Sequence, residues 1–109
     1  MRSGVNGQNR VLNSNDFKHL EKMNTGIEDD YIKRIFNRLI TGKNRLYGLF
    51  LDDQMVSLGG YSIYASRYAM LGRLRTDRRF MGKGFSTELM YHMMNKAFQI
   101  NGIQWNIRR

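Results

Sequence analysis

Three apolar runs separated by short polar turns occupy the middle of this 109-residue chain. Residues 46–51, 55–64 and 68–75 are apolar and partly aromatic, which is typical of β-strands. Each turn between them is too short for the crossover that parallel neighbours need. The runs therefore predict an antiparallel meander. The glycine pair at 59–60 predicts a bulge or a close backbone approach in the middle strand.

Apolar residues at helical spacing predict two helices before the meander and one after it. The first is short and carries Phe17, the second covers residues 29–40, and Gly42 stops it. The third has its apolar face at residues 89–98, with Ser86 or Thr87 as its N-terminal cap. Along the chain, two predicted helices therefore precede the three strands and one follows them.

Two further strands complete the predicted sheet, a short one at 10–12 and a last one at 103–107. The last strand follows a helical crossover, so it is predicted to lie parallel to the strand at 68–75. The sequence therefore predicts an α+β fold with a mixed sheet.

A glycine turn joins the third strand of the meander to the last helix. Five of the eleven residues from 73 to 83 are basic, and Gly82 and Gly84 stand just before the helix. Glycines at a helix N-terminus expose backbone N–H groups, and the helix dipole favours an anion there. The turn therefore predicts a binding site for phosphate or pyrophosphate.

Two common phosphate-binding motifs do not fit this turn. A Walker A loop needs a glycine where Asp77 stands and a serine or threonine where Gly84 stands. A dinucleotide fingerprint needs a third glycine at Thr87 and a parallel strand–helix–strand unit, whereas the preceding strand closes a meander. Both alternatives are excluded by these differences.

The segment 79–84, Arg-Phe-Met-Gly-Lys-Gly, resembles the signature Arg/Gln-x-x-Gly-x-Gly/Ala of the GNAT superfamily of acetyl-CoA-dependent N-acyltransferases. The family's longer form, Arg-Gly-x-Gly-x-Gly/Ala, falls on 81–86, where Met81 replaces the arginine and Ser86 the final small residue. The order of predicted elements is also similar to that family over residues 10–107. The resemblance therefore covers nearly the whole chain.

The resemblance implies that acetyl-CoA binds as co-substrate where the fourth and fifth strands splay apart. Backbone groups of Leu74 and Thr76 would hold the pantetheine arm, and the N–H groups of 81–86 would surround the pyrophosphate. Lys83, Arg78 and Arg79 would each either screen the phosphates or remain a solvated turn residue. The implied cofactor-binding residues are Leu74, Thr76, Arg79, Met81, Gly82, Lys83, Gly84, Phe85 and Ser86.

The implied reaction is direct attack of a primary amine, on a small molecule or a peptide, at the thioester. Such an attack needs a base, but residues 68–76 contain no carboxylate, so the catalytic residues stay unassigned. Asp77 is interpreted as a residue that fixes the turn. Tyr61 and Tyr64 either line an acceptor pocket or belong to the core. The acceptor itself is not specified by the sequence.

The two ends of the chain carry separate expectations. Residues 1–9 are polar and are predicted to be frayed or disordered, which leaves 10–109 as the domain. GNAT proteins continue with another helix and further strands, so the resemblance implies an N-terminal portion truncated after the fifth strand. Because this leaves a sheet edge uncovered, a missing C-terminal segment or a second copy in a homodimer is expected to complete the sheet.

The net charge of +9 suits a polyanionic partner, and its concentration near the glycine turn favours a phosphate ligand over nucleic acid. Two alternatives remain open: a CoA-binding module without catalysis, and a small basic nucleic-acid-binding domain. The sequence has no cysteine and no apolar run of membrane-spanning length, so a cytoplasmic location without membrane contact is expected. His19 and His92 form no metal-binding spacing, and no metal is expected.

Overall fold

A computed structural model describes residues 7–65, 68–101 and 104–107 of the chain. Its centre is a sheet with the strand order β1-β2-β3-β4-β5. The first four strands are antiparallel to their neighbours, and β5 is parallel to β4. This arrangement confirms the α+β fold with its meander and parallel last strand. The strands are β1 (Gly7–Val11), β2 (Asn44–Leu51), β3 (Gln54–Tyr64), β4 (Tyr68–Thr76) and β5 (Gln104–Ile107).

Strand β1 begins three residues earlier than the sequence predicts. The expectation of a frayed segment is wrong for residues 7–9, because they pair antiparallel with β2, Gly7 opposite Leu51 and Asn9 opposite Leu49. This pairing uses backbone groups, which polar residues carry as well as apolar ones, so the composition did not reveal it. Residues 1–6, 103 and 108–109 of the expected elements lie outside the described residues.

The second predicted helix is two separate turns. The helices are α1 (Phe17–Lys22), α2 (Tyr31–Arg34), α3 (Phe36–Leu39) and α4 (Phe85–Asn101). The prediction of one helix over 29–40 is wrong because Ile35 has φ −115° and ψ 22°, outside the helical region. Asp29 has φ 52°, so α2 begins only after Asp30, whose side chain accepts a hydrogen bond from the Ile32 N–H. Single helical turns are unstable by themselves, so their packing on the sheet sets this path.

Two hydrophobic clusters cover the two faces of the sheet. Helix α4 packs on one face, where its residues Leu89 and Met93 are fully buried. Helices α1, α2 and α3 pack on the other face, around the fully buried Ile32. Among the described helices, none is long and apolar enough to cross a membrane. The sheet therefore separates an α4 side from a side formed by the three short helices.

The glycine pair in β3 serves one of the two purposes that the sequence allowed, a close approach of two backbones. The register between β3 and β4 shifts beside Gly59, but the extra residue lies in β4, so this bulge does not belong to the middle strand. At Gly60 a Cβ would lie 2.7 Å from the backbone oxygen of Arg45, so this glycine allows a close approach of two strands. The close approach, one of the two predicted alternatives, is confirmed.

Replacing Gly60 with alanine is expected to destabilise the fold by about 2 kcal/mol, because the backbone of β2 cannot move away without disturbing the sheet. Gly59→Ala is the matched control: there a Cβ would meet only side-chain ends of Leu74 and Met93, at 2.7 and 2.9 Å. These flexible ends can move aside, so its loss should be smaller. Urea unfolding of both variants measures the difference. Equal losses would contradict this explanation.

Candidate functional site

The loop between β4 and α4 turns twice through glycine. A short 3-10 turn, Arg78–Phe80, is followed by Gly82 with φ 77° and Gly84 with φ 81°. The Gly84 carbonyl accepts the first helical hydrogen bond from the Glu88 N–H at 3.0 Å, so Gly84 is the N-terminal cap of α4. The predicted caps Ser86 and Thr87 are wrong, since both lie inside the first turn of this helix. Glycine takes the cap because the chain there needs a positive φ.

Several backbone amides at this loop have no acceptor within the described part of the protein. The N–H groups of Gly82, Lys83, Gly84 and Ser86 donate to none of the described residues. The Met81 N–H differs, because it closes the 3-10 turn by donating to the Arg78 carbonyl at 3.5 Å. The sequence indicated the N–H groups of 81–86 as the phosphate donors. In the structure the N–H groups without an acceptor begin at Gly82, one residue later.

A small hollow of about 90 Å³ lies against these amides. Its lining residues are Thr76, Phe80, Met81, Gly82, Gly84, Phe85 and Ser86. The structure thereby brings together most of the predicted cofactor-binding residues. Leu74, Arg79 and Lys83 do not line it. Lys83 is an exposed side chain at its rim, between the two glycines.

The loop fits an anionic ligand such as a diphosphate. At both Gly82 and Gly84 a Cβ would find no heavy atom within 4 Å, so the space beside each glycine is open. Helix α4 is 17 residues long, which gives its N-terminus the full effect of the helix dipole. Unbonded N–H groups, a positive dipole end and open space together form an anion-binding arrangement.

Asp77 fixes the start of the loop from a fully buried position. Its carboxylate accepts from the N–H groups of Asn24 and Arg79, both at 3.0 Å. The Arg79 side chain also donates to both carboxylate oxygens, at 2.9 and 2.8 Å. The Arg79 guanidinium, with the two backbone N–H groups, holds the pKa of Asp77 well below its usual range against the effect of burial. The interpretation of Asp77 as a loop-fixing residue is confirmed.

This pairing also defines the surroundings of Arg79. Its guanidinium binds Asp77 in a two-pronged contact, and the Asp77 carboxylate raises the Arg79 pKa. Arg79 therefore has a structural partner that the sequence alone did not reveal. Its predicted contact with a phosphate stays a prediction.

The edge of β4 next to this loop is open along half of its length. Pairing with β5 covers Tyr68–Leu71 of β4, and among the described residues the stretch 72–76 has no partner on that edge. Leu74 and Thr76 lie on this stretch, which agrees with strands that splay apart. The Thr76 hydroxyl lies 3.1 Å from the Ser57 hydroxyl, on the β3 side. Backbone groups of 72–76 thus face a gap between β4 and β5.

A bulge interrupts β4 at the inner end of this open edge. Arg73 and Leu74 together face the single residue Gly59 of β3, since Gly72 pairs with Gly60 and Arg75 with Leu58. Arg73 has φ 60°, a left-handed conformation that is rare for residues other than glycine. The extra residue of a bulge leaves part of the ladder unpaired. Sequence reasoning missed this feature, and Gly72 inside the strand was the one local signal for it.

A second hollow, of about 260 Å³, lies beside the bulge. Its lining residues are Tyr31, Ser62, Tyr64, Met70, Leu71, Gly72 and Arg73. Tyr64 lines this hollow and is not part of the buried core, and its role in an acceptor pocket stays a prediction. Tyr61 instead belongs to the core on the α4 side, where its ring stacks on Tyr47 at 6.0 Å. The structure thus separates the two tyrosines that the sequence could not distinguish.

A buried ion pair connects helix α2 to β4 next to this hollow. Arg75 donates to Asp30 through Nε at 2.8 Å and through Nη2 at 3.3 Å. Burial works to raise the pKa of Asp30, but the hydrogen bonds from Arg75 and from the Ile32 N–H outweigh it, and the pKa lies below its ordinary value. Asp30 is therefore a paired, ionised group, unsuited to act as a base at neutral pH.

Comparisons with known proteins give one family match and several solved structures of the same fold. A family model described as "Acetyltransferase (GNAT) family" matches residues 14–108. The ribosomal-protein-S18-alanine N-acetyltransferase from Escherichia coli superposes with a TM-score of 0.73 at 12% identity, over 86% of this chain and 61% of that one. This chain thus spans about three fifths of that enzyme's length. Comparison with curated protein sequences finds no match.

Two further solved structures have the same fold. A GNAT family acetyltransferase from Staphylococcus aureus superposes with a TM-score of 0.74 at 14% identity, over 94% of this chain and 86% of that one. The N-acetylglutamate synthase from Neisseria gonorrhoeae, complexed with coenzyme A and L-arginine, superposes with a TM-score of 0.69 at 14% identity. That superposition covers 94% of this chain and 24% of the synthase. At these identities the likeness shows a shared fold and nothing more about activity.

Proposed function

The chain belongs to the acetyltransferase (GNAT) family, and from that premise we propose that it binds acetyl-CoA and transfers the acetyl group to a primary amine. One observation carries the proposal: the N–H groups of Gly82, Lys83, Gly84 and Ser86 have no acceptor among the described residues and surround open space at the N-terminus of α4. A diphosphate supplies the acceptors that these donors need. The complex of the Neisseria gonorrhoeae relative with coenzyme A supports this choice of ligand.

The open edge of β4 suits the extended arm that follows the diphosphate. Residues 72–76 have unpaired backbone groups toward β5 among the described residues, and an extended ligand can bind them as an added strand does. The edge starts at the diphosphate hollow, which Thr76 lines, and ends at the bulge at Arg73. The reactive end of the co-substrate would thus reach the second hollow.

The second hollow is the proposed place of the acceptor amine. The neutral amine nitrogen bonds to the acetyl carbon while the bond from that carbon to sulfur breaks; the nitrogen gives up one proton, the sulfur takes one up, and coenzyme A leaves as the thiol. A backbone N–H left unpaired by the bulge at 73–74 can polarise the acetyl carbonyl there. Holding both reactants in register lowers the barrier further. No carboxylate is among the hollow's described lining residues, and the catalytic base stays unassigned.

Calorimetric titration with CoA, together with thiol release from acetyl-CoA in the presence of a panel of amines, tests the proposal. CoA binding with thiol release supports the enzyme. CoA binding without transfer to any amine would overturn the enzyme and favour a CoA-binding module. RNA binding that weakens steeply with salt, without CoA binding, would favour the nucleic-acid-binding alternative.

The distribution of ion pairs supports a small phosphate ligand over nucleic acid. Arg10, Arg34, Arg75 and Arg79 each pair with an aspartate, which reduces the number of free cations. The cytoplasmic location, and completion of the sheet by a further segment or a second copy, stay predictions.

Lys83→Ala is expected to weaken CoA binding roughly three- to fivefold, because an exposed cation near a phosphate contributes modestly. Salt screens such a contact, so the effect should shrink between low and high ionic strength. Lys43→Ala removes a similarly exposed lysine directly before β2 and serves as the control. Equal effects of the two variants would mean that only net charge matters. Calorimetry at two salt concentrations measures both.

A further inference from the structure

Arg73 is a cation without a partner among the side chains that the structure describes. Its side chain makes no hydrogen bond or ion pair with any residue in 7–65 or 68–99, and its Nε is buried without an acceptor among them. The neighbouring Arg75, in contrast, is paired with Asp30. A buried donor without an acceptor is costly, and such groups in a folded protein call for an explanation. A ligand that brings an acceptor provides one.

The backbone conformation of Arg73 is also energetically unfavourable. Its φ of 60° places a long side chain on a left-handed bulge position, where glycine would be favoured. Strained residues of this kind concentrate at binding and active sites. The strain and the unpaired guanidinium occur at one residue, and that residue lines the 260 Å³ hollow.

No described carboxylate near the hollow is free to neutralise Arg73. Oxygen Oδ2 of Asp30 accepts from Arg75 Nε, and Oδ1 accepts from Arg75 Nη2 and from the Ile32 N–H. The hollow's lining therefore has one uncompensated positive charge, on a chain whose net charge is already +9. A guanidinium matches the planar, two-oxygen shape of a carboxylate.

The remaining walls limit the size and character of the occupant. Tyr31, Tyr64, Met70 and Leu71 give the hollow aromatic and apolar surface. Its volume of about 260 Å³ is below the range of drug-sized sites, which suits a molecule of amino-acid size. Arg73 contributes both the bulged backbone and the guanidinium. An amine held at the bulge and an anion held at the guanidinium are therefore only a few atoms apart, as they are within one small molecule.

We propose that Arg73 binds the carboxylate of the acceptor, and that the acceptor is a free amino acid with an apolar side chain. This inference rests on the proposed acetyl transfer, since it specifies the acceptor of that reaction. Arg73 would then determine specificity: amines that lack the carboxylate would leave its guanidinium unpaired and would react poorly.

Acetyl transfer to L-phenylalanine, L-methionine and L-leucine is compared with transfer to their amides, which keep the amine and lose the carboxylate charge. The wild type should prefer at least one acid over its amide by roughly 10–100-fold in kcat/KM. Arg73→Gln should remove that preference, and Arg73→Lys should retain part of it. Arg38→Gln, at an exposed arginine on α3, should change nothing. Circular dichroism checks that the variants fold.

Two readouts keep this inference separate from the proposed function. Each acid and its amide are also titrated by NMR into the protein saturated with CoA, without any acetyl transfer. Binding of an acid that depends on Arg73 would support the inference even if no amine were acetylated. Equal transfer to acids and amides, unchanged by Arg73→Gln, would overturn it while the enzyme stands. Failure of all three acids to bind in the NMR titration would overturn it as well.

Discussion

Gly84→Asp is expected to abolish CoA binding, by at least roughly 100-fold, while the chain still folds. The reason is that any side chain at position 84 enters the space proposed for the diphosphate, where no protein atom lies within 4 Å of a Cβ. A carboxylate there also repels the phosphates. Gly84 has φ 81°, so the substitution adds backbone strain of about 1 kcal/mol, and aspartate tolerates this conformation better than most residues.

Gly42→Asp is the matched control for this result. Gly42 also has a positive φ, 64°, and also has no heavy atom within 4 Å of a Cβ, but it follows α3, away from the α4 loop. Thermal unfolding should therefore show that the two variants lose similar amounts of stability. Calorimetry should show loss of CoA binding for Gly84→Asp alone. If the two variants bound CoA equally well, the diphosphate would not lie at the α4 loop.

Asp77→Ala is expected to cost about 2–4 kcal/mol of the free energy of unfolding. Its carboxylate is the acceptor for the N–H groups of Asn24 and Arg79, and the substitution leaves both without one. It also frees Arg79 and loosens the segment that connects β4 to the glycine loop. Urea unfolding measures the cost, with Asp53→Ala, at an exposed aspartate in the β2–β3 turn, as the control. A loss no larger than that of Asp53→Ala would contradict this role.

The stabilising effect of Asp77 should depend on pH in a defined direction. Its pKa in the folded chain is lowered, first by Arg79 and then by the Asn24 and Arg79 N–H groups. A lowered carboxyl pKa gives stability that is fully present above the unfolded value of about 3.9 and is lost as the pH falls toward the folded value. The gap in unfolding free energy between wild type and Asp77→Asn should therefore be constant from pH 7 to 5 and narrow below about pH 4. A gap that widened on acidification would contradict this explanation.

Local sequence patterns predicted most of the fold. The meander followed from turns too short for a crossover, and the close approach at Gly60 followed from a glycine pair inside a strand. The family followed from the glycine turn at the strand-to-helix junction, and the family match over residues 14–108 confirms it. These are properties of neighbouring residues, so a single sequence contains them.

Features that depend on distant contacts were missed. The helix predicted over 29–40 is two turns, because packing of its apolar residues on the sheet outweighs the weak stability of a short helix. The pairing of Asp30 with Arg75 joins residues 45 positions apart, and no local pattern indicates it. The pairing of residues 7–9 with β2 was missed for the same reason.

The sequence by itself determined the order of the strands and helices and the two glycines that let the chain turn into α4, because hydrophobic spacing and a positive φ are local requirements. Only the tertiary structure decided that Arg79 is bound to Asp77, while Arg73 lines a hollow and has no partner in the described part of the chain. Both arginines lie in the same basic stretch, and their charge is the same. Their difference comes from strand register and from the elements packed against them, which are set when the whole chain folds.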